Sequence, residues 1–167
     1  MPPPVWVPGQ VLSASDVNNW LVPSAIIKLA DQSKTSNTTL GTDNELTLAV
    51  AASATYRFEA YLNYEGGTGN ASDIKYQWTV PAGAALRFHD LHQGPGGTPD
   101  TIDTHTASTI YSAATNGAGN LCGMSHLGTL LTAGSSGNVF LSWAQNTTNG
   151  TPTIVHAQSC IILQRLS

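Results

Sequence analysis

The chain has 167 residues, a length that suits one domain able to fold without disulfide or metal staples. Its net charge is −4 with six Lys and Arg, so no basic stripe exists to neutralise phosphates, and no nucleic-acid partner is expected. No apolar run approaches the roughly 18 residues that cross a bilayer, and Met1 to Pro4 lacks the charge and apolar run of a secretory signal, so no membrane partner is expected either.

Charged residues make up 10% of the chain and hydrophobic ones 41%. Thr, Ser, Asn and Gly stand where charge would normally be. Disorder needs low hydrophobicity and high net charge, so this composition points to a folded β protein with a neutral, hydroxyl-rich surface. Such a surface repels neighbours weakly and packs readily against copies of itself.

Residues 1–25 read as an arm. Pro2, Pro3, Pro4 and Pro8 favour extended backbone without ladder hydrogen bonds. Ser13 followed by Asp16 has the pattern of a helix N-cap with an acidic third residue. Val17, Trp20 and Leu21 then share a helical face, and Pro23 ends the helix after one or two turns. The arm either folds back on its own domain or docks into a partner. Its clustered apolar groups suit an interface, with Trp6, Val11, Leu12, Val17 and Trp20 as anchors.

From Ile26 to Ser167 the period is two. Tyr56, Phe58, Ala60, Leu62 and Tyr64 alternate with polar neighbours, and so do Ile74, Tyr76, Trp78 and Val80. Val139, Leu141 and Trp143 mark another strand. The last strand, near Thr153 to Leu166, is apolar on both faces and reads as central and covered on both sides. Twenty threonines favour the pleated surface. Turn signals fall at about 41–44, 66–72, 93–100, 115–119, 133–138 and 146–152. Eight to ten antiparallel strands in a β-sandwich or barrel follow. Cys122 and Cys160 sit in apolar strands and read as buried free thiols, with a disulfide between neighbouring strands as the alternative.

The most concentrated polar stretch runs from His89 to His105. His89, His92, Asp103 and His105 are weak metal candidates, since imidazole and carboxylate suit a divalent ion. Their spacing matches no strong motif, and a solvated polar loop is the plainer reading. No cofactor is expected. Catalytic motifs are absent; Glu65 and Asp73 are the pair a glycoside-hydrolysis reading would need, and the expectation is that the protein is not an enzyme. His126 and His156 lie in strand-like runs, where they are either satisfied core groups or lie at a subunit interface.

The stretch Val5-Trp6-Val7-Pro8-Gly9-Gln10-Val11-Leu12-Ser13-Ala14-Ser15-Asp16-Val17-Asn18 resembles the opening of many tailed-phage fibre and appendage proteins. With Leu62-Asn63-Tyr64-Glu65-Gly66-Gly67, Trp78-Thr79-Val80-Pro81-Ala82-Gly83, Trp143-Ala144-Gln145-Asn146 and Val155-His156-Ala157-Gln158-Ser159, the chain resembles a family of virion proteins from phages and prophages of actinobacteria. Its final strand resembles that of trimeric jelly rolls of the C1q and tumour-necrosis-factor type. The resemblance implies a jelly-roll sandwich over 26–167 and a homotrimer with His126, His156, Ile161 and Leu163 as candidates for its interface. It further implies a virion location after assembly in the bacterial cytoplasm, with residues 1–25 docked on other tail or capsid proteins. Three roles follow as expectations: a tail appendage that contacts a host cell-surface glycan, a capsid decoration or head fibre protein, or a free-standing lectin-like module. The loop at 93–100 has no counterpart in the resemblance.

Overall fold

The computed structural model describes residues 5–67, 72–92 and 101–167; the side chains at 19, 72, 73 and 101–103 lie outside that description. A short helix α1 (Ala14–Asp16) runs into a π-helical turn (Val17–Leu21). The strands are β1 (Ser24–Ile27), β2 (Gln32–Lys34), β3 (Gly41–Val50), β4 (Thr55–Glu65), β5 (Ser72–Thr79) and β6 (Ala85–His92). They continue as β7 (Thr101–Thr106), β8 (Tyr111–Ala114), β9 (Cys122–Leu131), β10 (Gly137–Gln145), β11 (Thr153–Val155) and β12 (Cys160–Arg165).

Two antiparallel sheets form. One has the order β1-β12-β4-β9-β6-β7, with the short pair β2 and β11 attached at β4; the other has the order β3-β10-β5-β8. The chain passes from one sheet to the other at most of its long connections, so β1-β12-β4-β9 face β3-β10-β5-β8. This is a jelly-roll sandwich, with the β6–β7 hairpin inserted between β5 and β8 and extending the first sheet beyond β9.

The alternation expected of β4 is realised: Tyr56, Phe58, Ala60, Leu62 and Tyr64 are buried while Arg57 and Tyr61 face outward. Ile74, Tyr76 and Trp78 of β5 meet them from the opposite sheet, with Phe58 and Trp78 in edge contact at 5.1 Å between ring centres. Near Phe88 the first sheet closes up tightly. A Cβ on Gly128 would stand 2.1 Å from the Arg87 carbonyl oxygen, so glycine is required there.

Several expectations are corrected. Residues 41–44 are part of β3 and not a free turn. Phe140 pairs with Thr47 while Ser142 pairs with Thr42, so Asp43 to Leu46 bulge out opposite Leu141. That bulge carries Asp43 inward, where it accepts from Lys28 Nζ at 2.9 Å and Trp143 Nε1 at 3.0 Å. The expected terminal strand is two strands, β11 and β12, separated by a turn with Gln158 at φ 68. β12 is central between β1 and β4, but its outer face, Cys160 and Ile162, is half-buried and not covered. Burial on both faces belongs instead to β10, from Leu141 to Gln145. The twelve strands among the described residues exceed eight to ten because β2 and β11 are only three residues long and carry no period. Strand pairing starts at Ser24, just inside the arm as first bounded. Cys122 is buried and Cys160 half-buried, both as free thiols.

Candidate functional site

The arm divides into two halves. Ser13 Oγ accepts from the Asp16 N–H at 3.1 Å, and Asp16 Oδ2 accepts from the Ser13 N–H at 3.1 Å, a reciprocal cap. The Ser13 hydroxyl, which donates to Asp16 Oδ2 at 2.6 Å, and then the Ser13 N–H hold the Asp16 carboxyl below its ordinary range. The turn that follows lies against the domain. Trp20 has the Arg165 guanidinium 4.8 Å from its ring centre, and its carbonyl accepts from Gln164 Nε2 at 2.9 Å. Val17 and Trp20 are therefore half-buried against their own protomer. The preceding half is open: Val11 is 91% exposed, and Val5, Val7 and Leu12 are exposed as well, with Trp6 half-buried. Of the five anchor residues, Val11 and Leu12 are the ones left free for a partner.

The polar stretch resolves by strand parity. Leu86, Phe88, Asp90 and His92 of β6 point inward, and His89 points outward, 3.3 Å from Thr104 Oγ1. Asp90 is fully buried. Around it stand His92 Nδ1, 3.2 Å from Oδ1, His126 Nε2, 3.3 Å from Oδ1, and His105 Nε2, 3.4 Å from Oδ2. The Tyr76 hydroxyl donates to Oδ2 from the opposing sheet. The approaches to Oδ1 are not aligned hydrogen bonds, so their attraction is mainly that of charge and dipole. Trp78 Nε1 donates to His126 Nδ1 at 3.1 Å. In the neutral ring this leaves the proton on Nε2, the nitrogen on the Asp90 side of the ring. Burial pushes the Asp90 carboxyl up, but His126 and His92 together outweigh it and bring it to about 2.

The structure thus brings His92 and His105 to one centre but leaves His89 outside it. The Asp103 side chain and the loop at 93–100 lie outside the described residues. No group of three or more His, Cys, Asp or Glu among the described residues is arranged to hold a metal. Asp90, the centre of the cluster, belongs to the polar stretch from His89 to His105 but not to its ligand candidates, and Tyr76 and Trp78 read from the sequence only as alternating strand residues. The parity of Asp90 with Leu86 and Phe88 was the available signal.

Three expected interface residues are corrected. His126 and Ile161 are fully buried and Leu163 is 1% exposed, all inside their own sandwich. They alternate with outward neighbours, and the inward parity fills the core. His156 lies in the β11–β12 turn and not in a strand. Its Nδ1 is 3.2 Å from Asp31 Oδ2, and Nε2 is 3.7 Å from Glu65 Oε2. Glu65 also accepts from the Gly119 N–H at 3.1 Å; the Asp73 side chain lies outside the described residues. The outer face of the first sheet exposes the apolar side chains Tyr61, Leu91, Leu127 and Leu131. It forms a shallow concavity of about 720 Å³ over Arg87, His89, Leu127 and Leu131. No helix among the described residues is long and apolar enough to cross a membrane.

No protein-family model matches the chain, and no curated protein matches it. Among solved structures it is similar to the infectious bursal disease virus Gt strain structure, with 12% identity and a TM-score of 0.21 over 99% of this chain and 45% of that one. The structure of the Gx strain of the same virus aligns with 8% identity and a TM-score of 0.21 over 86% of this chain and 39% of that one. The D431N mutant VP2 protein in T=1 particles aligns with 12% identity and a TM-score of 0.22, covering 99% and 45%. The chain spans less than half of each of these proteins, and likeness at this level carries no functional argument.

Proposed function

We propose that the protein is a structural component of a phage virion, a homotrimeric appendage docked through residues 5–12 onto a neighbouring tail protein. The observation that carries this reading is the exposed apolar half of the arm. Val5, Val7 and Val11 are each more than half exposed although the next turn is clamped to the domain by Trp20 and Gln164. A segment so placed gains by burial against a partner, at roughly 25 cal/mol per Å² of apolar surface. The resemblance of residues 5–18 to phage appendage openings names the kind of partner. The apolar side chains Tyr61, Leu91, Leu127 and Leu131 on the outer face of the first sheet support self-association, and a host cell-surface glycan is the further partner of this reading.

The test is removal of residues 1–22 in a phage that carries the protein. The domain should still fold, because β1 begins at Ser24, and it should be missing from purified particles. Incorporation at the normal copy number would refute docking through the arm. Labelling of intact particles separates a tail position from capsid decoration. Glycan binding unaffected by the deletion, in a protein never found on particles, would favour the lectin-like module. Light scattering reports whether the soluble protein is a trimer.

A further inference from the structure

We infer that the Asp90 cluster is an acid-sensitive latch, which holds the β6–β7 hairpin on the sandwich at neutral pH and releases it when its imidazoles take up protons. The proposal is independent of where the protein works.

The hairpin is an appendage to the jelly roll. β7 is an edge strand, and among the described residues the hairpin pairs with the rest of its sheet through β9 alone. Across the sandwich it lies over β5 and β8, where Tyr76 reaches Asp90 and Tyr111 stacks on His105 at 3.7 Å. One carboxylate therefore joins four strands: β6 through Asp90 and His92, β7 through His105, β9 through His126 and β5 through Tyr76. Asp103 stands opposite Asp90 in the β6–β7 register, with its side chain outside the described residues. The titratable groups described around the centre are thus one carboxyl, three imidazoles and two phenols, with no lysine or arginine among them.

That composition sets the response to acid. A single buried carboxylate balances one imidazolium. A second or third proton leaves net positive charge in a site where charge is poorly solvated. His126 makes the response sharper. Its Nε2–H already faces Asp90, so an added proton goes to Nδ1 and breaks the bond from Trp78. Free imidazoles titrate near pH 6.5, so unfolded or opened states take up these protons readily on mild acidification. The hairpin is the part released because, among the described residues, it gives the apolar core only Leu86 and Phe88, whereas β4 gives Tyr56, Phe58, Ala60, Leu62 and Tyr64, and β5 and β10 give Ile74, Tyr76, Trp78, Val139, Leu141 and Trp143.

Amide hydrogen exchange of the full chain between about pH 7.5 and pH 5, corrected for intrinsic rates, tests the latch. Protection in 85–92 and 101–106 should fall about tenfold or more relative to β3 and β10. The substitutions H92Q and H105Q together should abolish this selective fall, and H156Q should leave it intact. Should the double variant fail to fold, H105Q alone should reduce the fall. Equal protection at both pH values overturns the latch. So does an equal fall in every strand, or a fall that persists unchanged in the variants.

Discussion

Trp78 gives its indole N–H to Nδ1 of His126 at 3.1 Å, and this bond decides which imidazole nitrogen meets the buried Asp90 carboxylate. A residue of one sheet thereby sets the tautomer of a residue in the other. Replacing Trp78 by Phe keeps an aromatic ring in the core but deletes the donor and some volume. The cost should be about 2–4 kcal/mol in urea unfolding. The ring proton of His126 would no longer be assigned to Nε2 alone, which nitrogen-15 NMR of the imidazole reads directly.

Asp90 itself predicts a pH dependence. With the hairpin closed, its folded value, about 2, lies below the ordinary 3.8, so its own contribution to the closed state is complete above about pH 4 and is lost as pH falls through 2. The difference corresponds to about 2 kcal/mol. In Asp90→Asn this acid-side slope should vanish, and the variant should also be less stable at neutral pH because the imidazoles lose their counter-charge. Chemical denaturation at several pH values measures both effects.

Lys28 and Asp43 form a second buried pair, with side chains 1% and 0% exposed. Burial raises the Asp43 carboxyl, and the bonds from Lys28 and from the Glu45 and Leu46 N–H groups more than reverse it, so the folded value is lowered. Lys28→Met leaves that carboxylate without its ammonium and should cost about 3–5 kcal/mol. Because Asp43 is depressed in the fold, the wild-type contribution is present above the ordinary carboxylate range and is lost on acidification below it. Comparison of wild type and variant at neutral and acidic pH should therefore show the gap narrowing as pH falls.

Gly128→Ala places a methyl 2.1 Å from the Arg87 carbonyl oxygen and 2.7 Å from the Phe88 Cα. Neither is the end of a flexible side chain, so β6 must move away from β9. A loss of about 3 kcal/mol or more is expected in thermal unfolding. The disturbance should reach His105 and His126, whose rings contact Phe88 at 5.5 and 5.0 Å.

In the arm, Val11→Asp and Leu12→Asp should leave the isolated protein's stability within about 0.5 kcal/mol of wild type, since both side chains are exposed. Trp20→Ala should destabilise the fold of residues 14–21 by removing the contact with Arg165. If the arm docks on a particle, the two aspartate variants abolish incorporation while melting normally. Quantitative mass spectrometry of purified particles, set beside melting curves, checks both halves of the statement.

Much of this molecule was legible from local pattern. The period-two alternation of β4 and β5 and the reciprocal cap at Ser13 and Asp16 follow from neighbouring residues alone, because pleat and helix geometry repeat over two to four positions. The apolar character of the arm is equally local. What the pattern could not supply is who meets whom across the sandwich. Asp43 reads as part of a turn until the β3 bulge brings it to Lys28 and Trp143. Ile161, Leu163 and His126 read equally well as interface or core until the partner sheet covers them. His92, His105 and His126 belong to three different strands, and only the insertion of the β6–β7 hairpin beside β9 gathers them on Asp90. Alternation along a strand names a face; the pairing of strands and the packing of sheets, driven by burial of the whole apolar surface at once, decides what that face touches.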